Sequence, residues 1–99
     1  MLNSKQRSFL RSLANELNPM LLIGKGGIDE NVIIQADDIL EARELVKIGI
    51  LKNSMIDPRE ACGILCDATG SDPVQVIGNR FIIYRPSKEK PKIILKDGA

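Results

Sequence analysis

Two apolar segments with one helical segment between them constrain the fold of this sequence more than any other feature. Met20–Ile23 is a continuous apolar run, as expected for a buried central strand. Leu45–Leu51 alternates between two faces and is rich in β-branched residues, which predicts a second strand. Residues 30–42 carry apolar side chains at helical spacing, with Asp29 as the N-cap. A strand–helix–strand connection of this kind pairs its two strands in parallel.

Two further helices are predicted from their apolar spacing and their end signals. Ser4–Leu17 has an apolar stripe and is stopped by Asn18-Pro19, because the residue before a proline avoids the helical conformation. Residues 57–60 combine a capping aspartate, a proline at the first helical position and a glutamate three residues after the cap. The third helix therefore begins here, and we expect it to end at Gly70.

The last two strands are predicted at Val74–Ile77 and Phe81–Tyr84. Gly78-Asn79 between them fits a type II′ hairpin turn, in which the first turn residue is glycine. The order α-β-α-β-α-β-β predicts an α/β fold, a single compact domain with a mixed four-stranded sheet packed with helices. We expect this domain to span residues 1–86. The lysine-rich segment 87–99 would add an edge strand or remain a mobile tail.

Composition argues against several classes of protein. Aromatic residues make up only 3% of the 99 residues, which disfavours recognition by several stacked bases, as in an RRM or an OB-fold. The sequence contains no histidine to complete a zinc site with Cys62 and Cys66, so we expect both cysteines to fill the core. Asp37 and Asp38 are adjacent on a helix and point about 100° apart, so they do not form a catalytic pair. We expect no catalytic residue, no cofactor and no bound metal.

Targeting signals give an expectation about the compartment. The longest apolar run is Met20–Ile23, far short of the roughly 20 residues that cross a bilayer, and no signal segment is visible. Two cysteines are too few for the disulfide framework of a small secreted protein. We therefore expect a cytoplasmic protein with no membrane partner and no small-molecule substrate.

Charge is unevenly distributed along the chain, although the formal net charge is only +1. Residues 1–28 and 73–96 are basic, and residues 29–44 are strongly acidic. Such segregation lets one face attract a polyanion while another face stays acidic. Scattered surface charges that only contact solvent are the alternative explanation.

The loop Gly24-Lys25-Gly26-Gly27 is the most informative motif. It is not a P-loop, which needs four residues between its glycines followed by Lys-Ser/Thr, and it lacks the third glycine of a dinucleotide fingerprint. It does fit G-x-x-G, the loop that clamps nucleic-acid backbone in KH-type modules. Glycines permit close approach of a ligand, and the helix start and Lys25 attract phosphate. A purely structural turn remains open, because Asp29 and Glu30 place negative charge beside the loop.

Three segments resemble the CRM domain family, the chloroplast RNA splicing and ribosome maturation domains. They are the Leu-x-x-Leu-Ala helix at Leu10–Ala14, the run Leu21–Ile28, and Val74-Gln75-Val76-Ile77-Gly78 through Tyr84-Arg85-Pro86. The chain is similar to the stand-alone bacterial, YhbY-like form. The resemblance implies a fold similar to the C-terminal domain of translation initiation factor three. It also implies RNA binding through the G-x-x-G loop, with ribosomal RNA or a precursor of the large ribosomal subunit as the bacterial partner, and intron RNA in plant organelles.

The predicted RNA contacts combine this loop with nearby basic residues: Gly24, Lys25, Gly26, Gly27, Arg7, Arg11, Arg80, Arg85 and Lys88. Arg7 and Arg11 are four residues apart and share a helix face, so they would contribute if the first helix packs beside the loop. Two other functions remain open. One is a protein-interaction adaptor that docks through the acidic second helix, and the other is a DNA-binding architectural protein.

Overall fold

The predicted order of helices and strands is confirmed by the computed structural model, which describes residues 2–93 and residue 95. The elements are α1 (Ser4–Ala14), β1 (Leu21–Ile23), α2 (Glu30–Arg43), β2 (Leu45–Ile50), α3 (Pro58–Thr69), β3 (Asp72–Ile77) and β4 (Arg80–Tyr84). In the part of the chain that is described, no helix is both long and apolar enough to cross a membrane.

The sheet is mixed, as predicted, and its strand order is β1-β2-β4-β3. β1 runs parallel to β2, with Leu21 opposite Ile48, whereas β4 runs antiparallel to both β2 and β3. Three connections therefore meet at one end of the sheet, at residues 24–27, 51–54 and 77–80. We call these three connections the loop end.

Helices cover both faces of the sheet. Against one face α2 and α3 enclose the larger core cluster: Leu21, Ile23, Ala36, Leu40, Val46, Ile48, Ile50, Ala61, Cys62, Leu65, Cys66, Phe81 and Ile83. Against the other face α1 packs with a smaller cluster: Leu2, Leu10, Ala14, Leu45, Val74, Ile82 and Tyr84. Alternate residues of β2 and β4 supply the two clusters, because successive side chains of a strand point to opposite faces.

Several of the predicted helix caps, helix ends and turns are confirmed, and two are not. Asp29 caps α2 by accepting a hydrogen bond from the N–H of Val32, and Gly70 ends α3 in the left-handed conformation. Gly78 has a positive φ of 55°, as a type II′ turn requires. The predicted end of α1 at Leu17 is wrong, because the helix stops at Ala14. Asp57 precedes α3 but makes no side-chain capping bond.

The segment after β4 is held against the C-terminal end of α2. Glu44 is fully buried, and its carboxylate accepts hydrogen bonds from the N–H groups of Ser87, Lys92 and Ile93 at 2.6–2.7 Å. Within residues 87–93 the chain forms no strand. The rest of segment 87–99, for which an edge strand or a mobile tail is predicted, lies outside the described residues except for residue 95.

Candidate nucleic-acid interface

The Gly24–Gly27 loop is fixed at both of its ends. Before it, Ile23 is fully buried, and its carbonyl oxygen accepts a hydrogen bond from the N–H of Leu51 at 2.8 Å. Inside it, the N–H of Gly27 donates to the carbonyl oxygen of Gly24 at 3.0 Å and closes a turn. After it, Ile28 packs against the larger core cluster. The turn therefore presents Lys25 and Gly26 to solvent, where both are exposed.

The fold requires glycine at only one of the three glycine positions of this loop. Gly27 has a φ of +68°, which side-chain-bearing residues rarely adopt. Gly26 does not have a positive φ, and a Cβ atom added there would meet nothing within 4 Å. A Cβ atom on Gly24 would make an ordinary contact with Leu51 Cδ1 at 3.7 Å. The space in front of Gly26 is thus open to a ligand.

Two backbone amides of the loop are available to an anion. The N–H groups of Lys25 and Gly26 donate no hydrogen bond within the described part of the chain. The start of α2 is different, because the Asp29 carboxylate already accepts from the N–H of Val32 at 2.9 Å. That carboxylate places negative charge where the sequence predicts a phosphate at the helix N-terminus. The loop amides and Lys25 are therefore the better phosphate donors.

Lys52 lies beside this loop and is not among the predicted contacts. It is a central residue of a second turn, in which the N–H of Ser54 donates to the carbonyl oxygen of Leu51 at 3.0 Å. This turn ends β2, the parallel neighbour of β1, so the two turns are adjacent at the loop end. Lys52 follows the predicted second strand directly. Because neighbouring parallel strands end at the same edge of a sheet, the sequence alone could have placed Lys52 near the Gly24–Gly27 loop.

Arg80 completes a set of three exposed basic side chains at the loop end. The β3–β4 hairpin is tied to β2 because Asn79 donates its side-chain amide to the carbonyl oxygen of Ile50 at 2.9 Å, and the N–H of Ile50 donates to the carbonyl oxygen of Asn79. In residues 2–93 and 95, Arg85 is the only basic residue in an ion pair. None of Lys25, Lys52 and Arg80 therefore forms an ion pair with another described residue.

Arg7 and Arg11 lie apart from the Gly24–Gly27 loop. They are on α1, which packs against β2, β3 and β4 on the sheet face opposite α2. Arg11 is exposed, whereas Arg7 is half-buried, and its Nη2 atom lies 3.4 Å from the carbonyl oxygen of Leu2. The condition under which Arg7 and Arg11 would add to the Gly24–Gly27 loop, a first helix packed beside it, is thus not met.

Comparison with known proteins identifies the family. Residues 2–85 match the CRS1 / YhbY (CRM) domain. This chain belongs to the CRM domain family. The "Probable RNA-binding protein YqeI" of Bacillus subtilis is 43% identical over 95 residues, which cover 96% of this chain and 99% of that protein. An "RNA-binding protein" of Haemophilus influenzae is 32% identical over 89% of each chain.

A solved structure supports the fold of this CRM domain. The solution structure of the hypothetical protein SAV1595 from Staphylococcus aureus matches it with a TM-score of 0.80 and 51% sequence identity. The match covers 97% of this chain and 100% of that one. The α/β fold with three helices and a mixed four-stranded sheet is therefore confirmed.

Arg85 is an internal residue of this CRM domain, although the sequence predicts an RNA contact. Its side chain is only 7% exposed and forms ion pairs with Asp37 and Glu41 of α2. Its Nη1 atom also donates to the carbonyl oxygen of Thr69 at 2.9 Å. Arg85 thus joins the end of β4 to α2 and α3, and we leave it out of the proposed interface.

Lys88 is exposed but lies at the far end of the CRM domain. Its N–H donates to Glu41 Oε1 at 3.0 Å, near the C-terminal end of α2. The loop end adjoins the other end of this 14-residue helix, about 20 Å away. Lys88 is therefore not part of the loop end.

Cys62 and Cys66 lie in the larger core cluster, as predicted. The neighbouring Cys66 thiol, together with burial, raises the pKa of the Cys62 thiol. Among residues 2–93 and 95, no cluster of His, Cys, Asp and Glu side chains is suited to holding a metal ion.

Proposed function

We propose that this CRM domain binds RNA through the sugar-phosphate backbone at its loop end. The observation that carries the proposal is the convergence of Lys25, Lys52 and Arg80 at one end of the sheet. None of the three forms an ion pair with another described residue. Unpaired positive charges grouped on one surface attract a polyanion.

Each part of the loop end has a distinct task. The N–H groups of Lys25 and Gly26 donate to a phosphate oxygen, and the missing side chain at Gly26 allows the backbone to come close. Lys25 and Lys52 act as flexible point charges, whereas the planar guanidinium of Arg80 can donate two hydrogen bonds to one phosphate. Such contacts position an RNA strand without reading its bases.

The names of the relatives support RNA over DNA, since YqeI and the Haemophilus influenzae protein are both named as RNA-binding. Family resemblance further suggests ribosomal RNA, or a precursor of the large ribosomal subunit, as the target. The domain would then act in large-subunit maturation by binding, without catalytic chemistry or a cofactor of its own.

The acidic second helix is less suited to docking a protein partner. Asp37 and Glu41 form ion pairs with Arg85, and Glu41 also accepts hydrogen bonds from the hydroxyl of Ser87 and the N–H of Lys88. Much of the acidic charge of α2 is therefore used inside the domain. This arrangement weakens the adaptor hypothesis.

The dependence of RNA affinity on salt concentration tests the proposal. If roughly four to six phosphates are contacted, the logarithm of the association constant should fall with the logarithm of salt concentration at a slope of about −3 to −5. A structured fragment of ribosomal RNA titrated at several salt concentrations provides the measurement. A flat response, or no binding at low salt, would contradict backbone recognition.

A further inference from the structure

A groove runs along the open side of β3, the edge strand of the sheet. It has a volume of about 370 Å³ and is lined by Arg7, Arg59 and the strand residues Pro73, Val74, Gln75 and Val76. Arg7 comes from α1 on one face of the sheet, and Arg59 comes from the first turn of α3 on the other. Two arginines thus flank one strand edge from opposite sides.

Both guanidinium groups lack an anionic partner. Within the described residues neither Arg7 nor Arg59 forms an ion pair. The Nε atom of Arg7 is buried and has no hydrogen-bond acceptor. That atom is enclosed by the protein, so an anion in the groove would be bound by the other N–H groups of the two guanidinium groups. Arginine is well suited to phosphate, because two N–H groups of one guanidinium can donate to two oxygens of the same phosphate.

The edge of β3 is poorly suited to accept a strand from another protein. Pro73 has no N–H to donate, and the pairing with β4 is irregular between Pro73 and Gln75. Prolines, bulges and charged side chains on an edge strand are the features that prevent strand addition. A phosphate chain needs no such pairing and matches the charge of the groove.

The groove is connected to the loop end. A smaller neighbouring groove of about 130 Å³ is lined by residues that include Asn15, Gln75, Ile77 and Arg80. Gln75 lines both grooves, so they adjoin, and Arg80 lies beside the hairpin tip at the loop end. Basic side chains therefore follow one another from Lys25 across the sheet to Arg80, and then along β3. The distance from β1 to β3 is three strand spacings, on the order of 15 Å.

We propose that the groove between Arg7 and Arg59 is a second phosphate-binding site, which holds the continuation of the RNA strand bound at the loop end. This second site requires that the loop end bind RNA as described above. The RNA it takes is a single-stranded segment long enough to cross the sheet. Arg59 and Arg7 bind its backbone, and bases are not read there.

Two lengths of single-stranded oligouridylate test this site. An RNA of about 4 nucleotides should occupy the loop end alone, and one of about 16 nucleotides should reach the groove. Arg59→Ala should lower the affinity for the long RNA roughly three- to tenfold and leave the affinity for the short RNA unchanged. The salt slope for the long RNA should become shallower by about 0.7. In amide NMR spectra, the short RNA should shift Lys25 and Gly26, and only the long RNA should also shift Gln75.

Arg43→Ala is the matched control, because Arg43 is exposed in the last turn of α2, away from both sites. Equal affinity of Arg59→Ala and Arg43→Ala for the long RNA would overturn the second site while leaving the loop end intact. Equal losses for short and long RNA in Arg59→Ala would overturn it as well, by assigning Arg59 to the loop end. If the wild-type protein binds the structured ribosomal RNA fragment but neither oligouridylate, the second site fails and the proposed function stands. Binding to none of the three RNAs would contradict the proposed function itself.

Discussion

Lys25 and Lys52 occupy equivalent positions in two neighbouring turns. Each is the first central residue of a turn closed by a hydrogen bond between its first and fourth residues, Gly24 to Gly27 and Leu51 to Ser54. The turns are adjacent because β1 and β2 are parallel and because Leu51 donates its N–H to Ile23. Two like charges are thus held at one end of the sheet, where a phosphate backbone would relieve their repulsion.

This pairing predicts that Lys52 contributes to RNA binding although the G-x-x-G motif does not include it. Lys52→Ala should lower RNA affinity roughly three- to tenfold and reduce the salt slope by about 0.7–0.9, because one phosphate contact is lost. The free energy of unfolding should change by less than about 0.5 kcal/mol, since the side chain is exposed. Lys90→Ala removes an exposed lysine near the opposite end of the domain and serves as the control. Identical affinities of the two variants would remove Lys52 from the interface.

The glycines of the loop should separate into structural and functional positions. Gly27→Ala forces a side chain into a φ of +68° and should lower the free energy of unfolding by about 1–2 kcal/mol. Gly26→Ala meets open space at an unstrained position, so its stability should be unchanged or slightly higher. Urea unfolding of both variants makes the comparison. A larger loss of unfolding free energy in Gly26→Ala than in Gly27→Ala would contradict the described geometry of the turn.

Glu44 should make the stability of the domain depend on pH. Burial raises the pKa of Glu44, but hydrogen bonds from the N–H groups of Ser87, Ile93 and Lys92 lower it, and the net pKa is below the usual carboxyl value. A group with a lowered folded-state pKa stabilises the fold above its unfolded pKa and loses that effect as the pH falls through the folded value. Glu44→Gln should therefore cost about 1–3 kcal/mol at pH 7.

That cost should shrink as the pH falls below the usual carboxyl pKa of about 4.3, because the wild type then loses the stabilisation that its ionised carboxylate provides. Thermal melting of wild type and Glu44→Gln at several pH values gives the difference directly. A difference in melting temperature that stays constant from pH 7 to pH 3 would show that the Glu44 carboxylate does not hold residues 87–93 as described.

Local patterns were sufficient to predict the sheet. The apolar run before Gly24 and the glycine at position 78 each specify a strand end without reference to distant residues, and both strand ends are observed. The predicted end of α1 at Leu17 is three residues too late, because the Asn18-Pro19 signal excludes a helix at residue 18 but does not show where the helix stops before it.

Contacts between distant residues could not be predicted in the same way. Arg85 and Asp37 are 48 residues apart, so nothing near Arg85 in the sequence indicates that it is buried. Lys52 is likewise brought beside Lys25 only by the pairing of β1 with β2. Basic residues that the sequence predicts as RNA contacts therefore include both exposed residues and residues of internal ion pairs. Only the fold distinguishes the two groups.

The proposed contact between the Gly24–Gly27 loop and the RNA backbone is tested by an RNA titration of the variant Lys25→Asp/Gly26→Asp. The two carboxylates would repel phosphate, and a side chain at position 26 would block close approach without straining the turn. Lys90→Asp/Ala68→Asp changes the net charge equally, at exposed positions away from the loop end. Circular dichroism and melting should show that all three proteins are folded. We expect at least about a tenfold loss of affinity in the loop variant alone. Equal affinities of wild type and the loop variant would show that the loop does not contact the RNA.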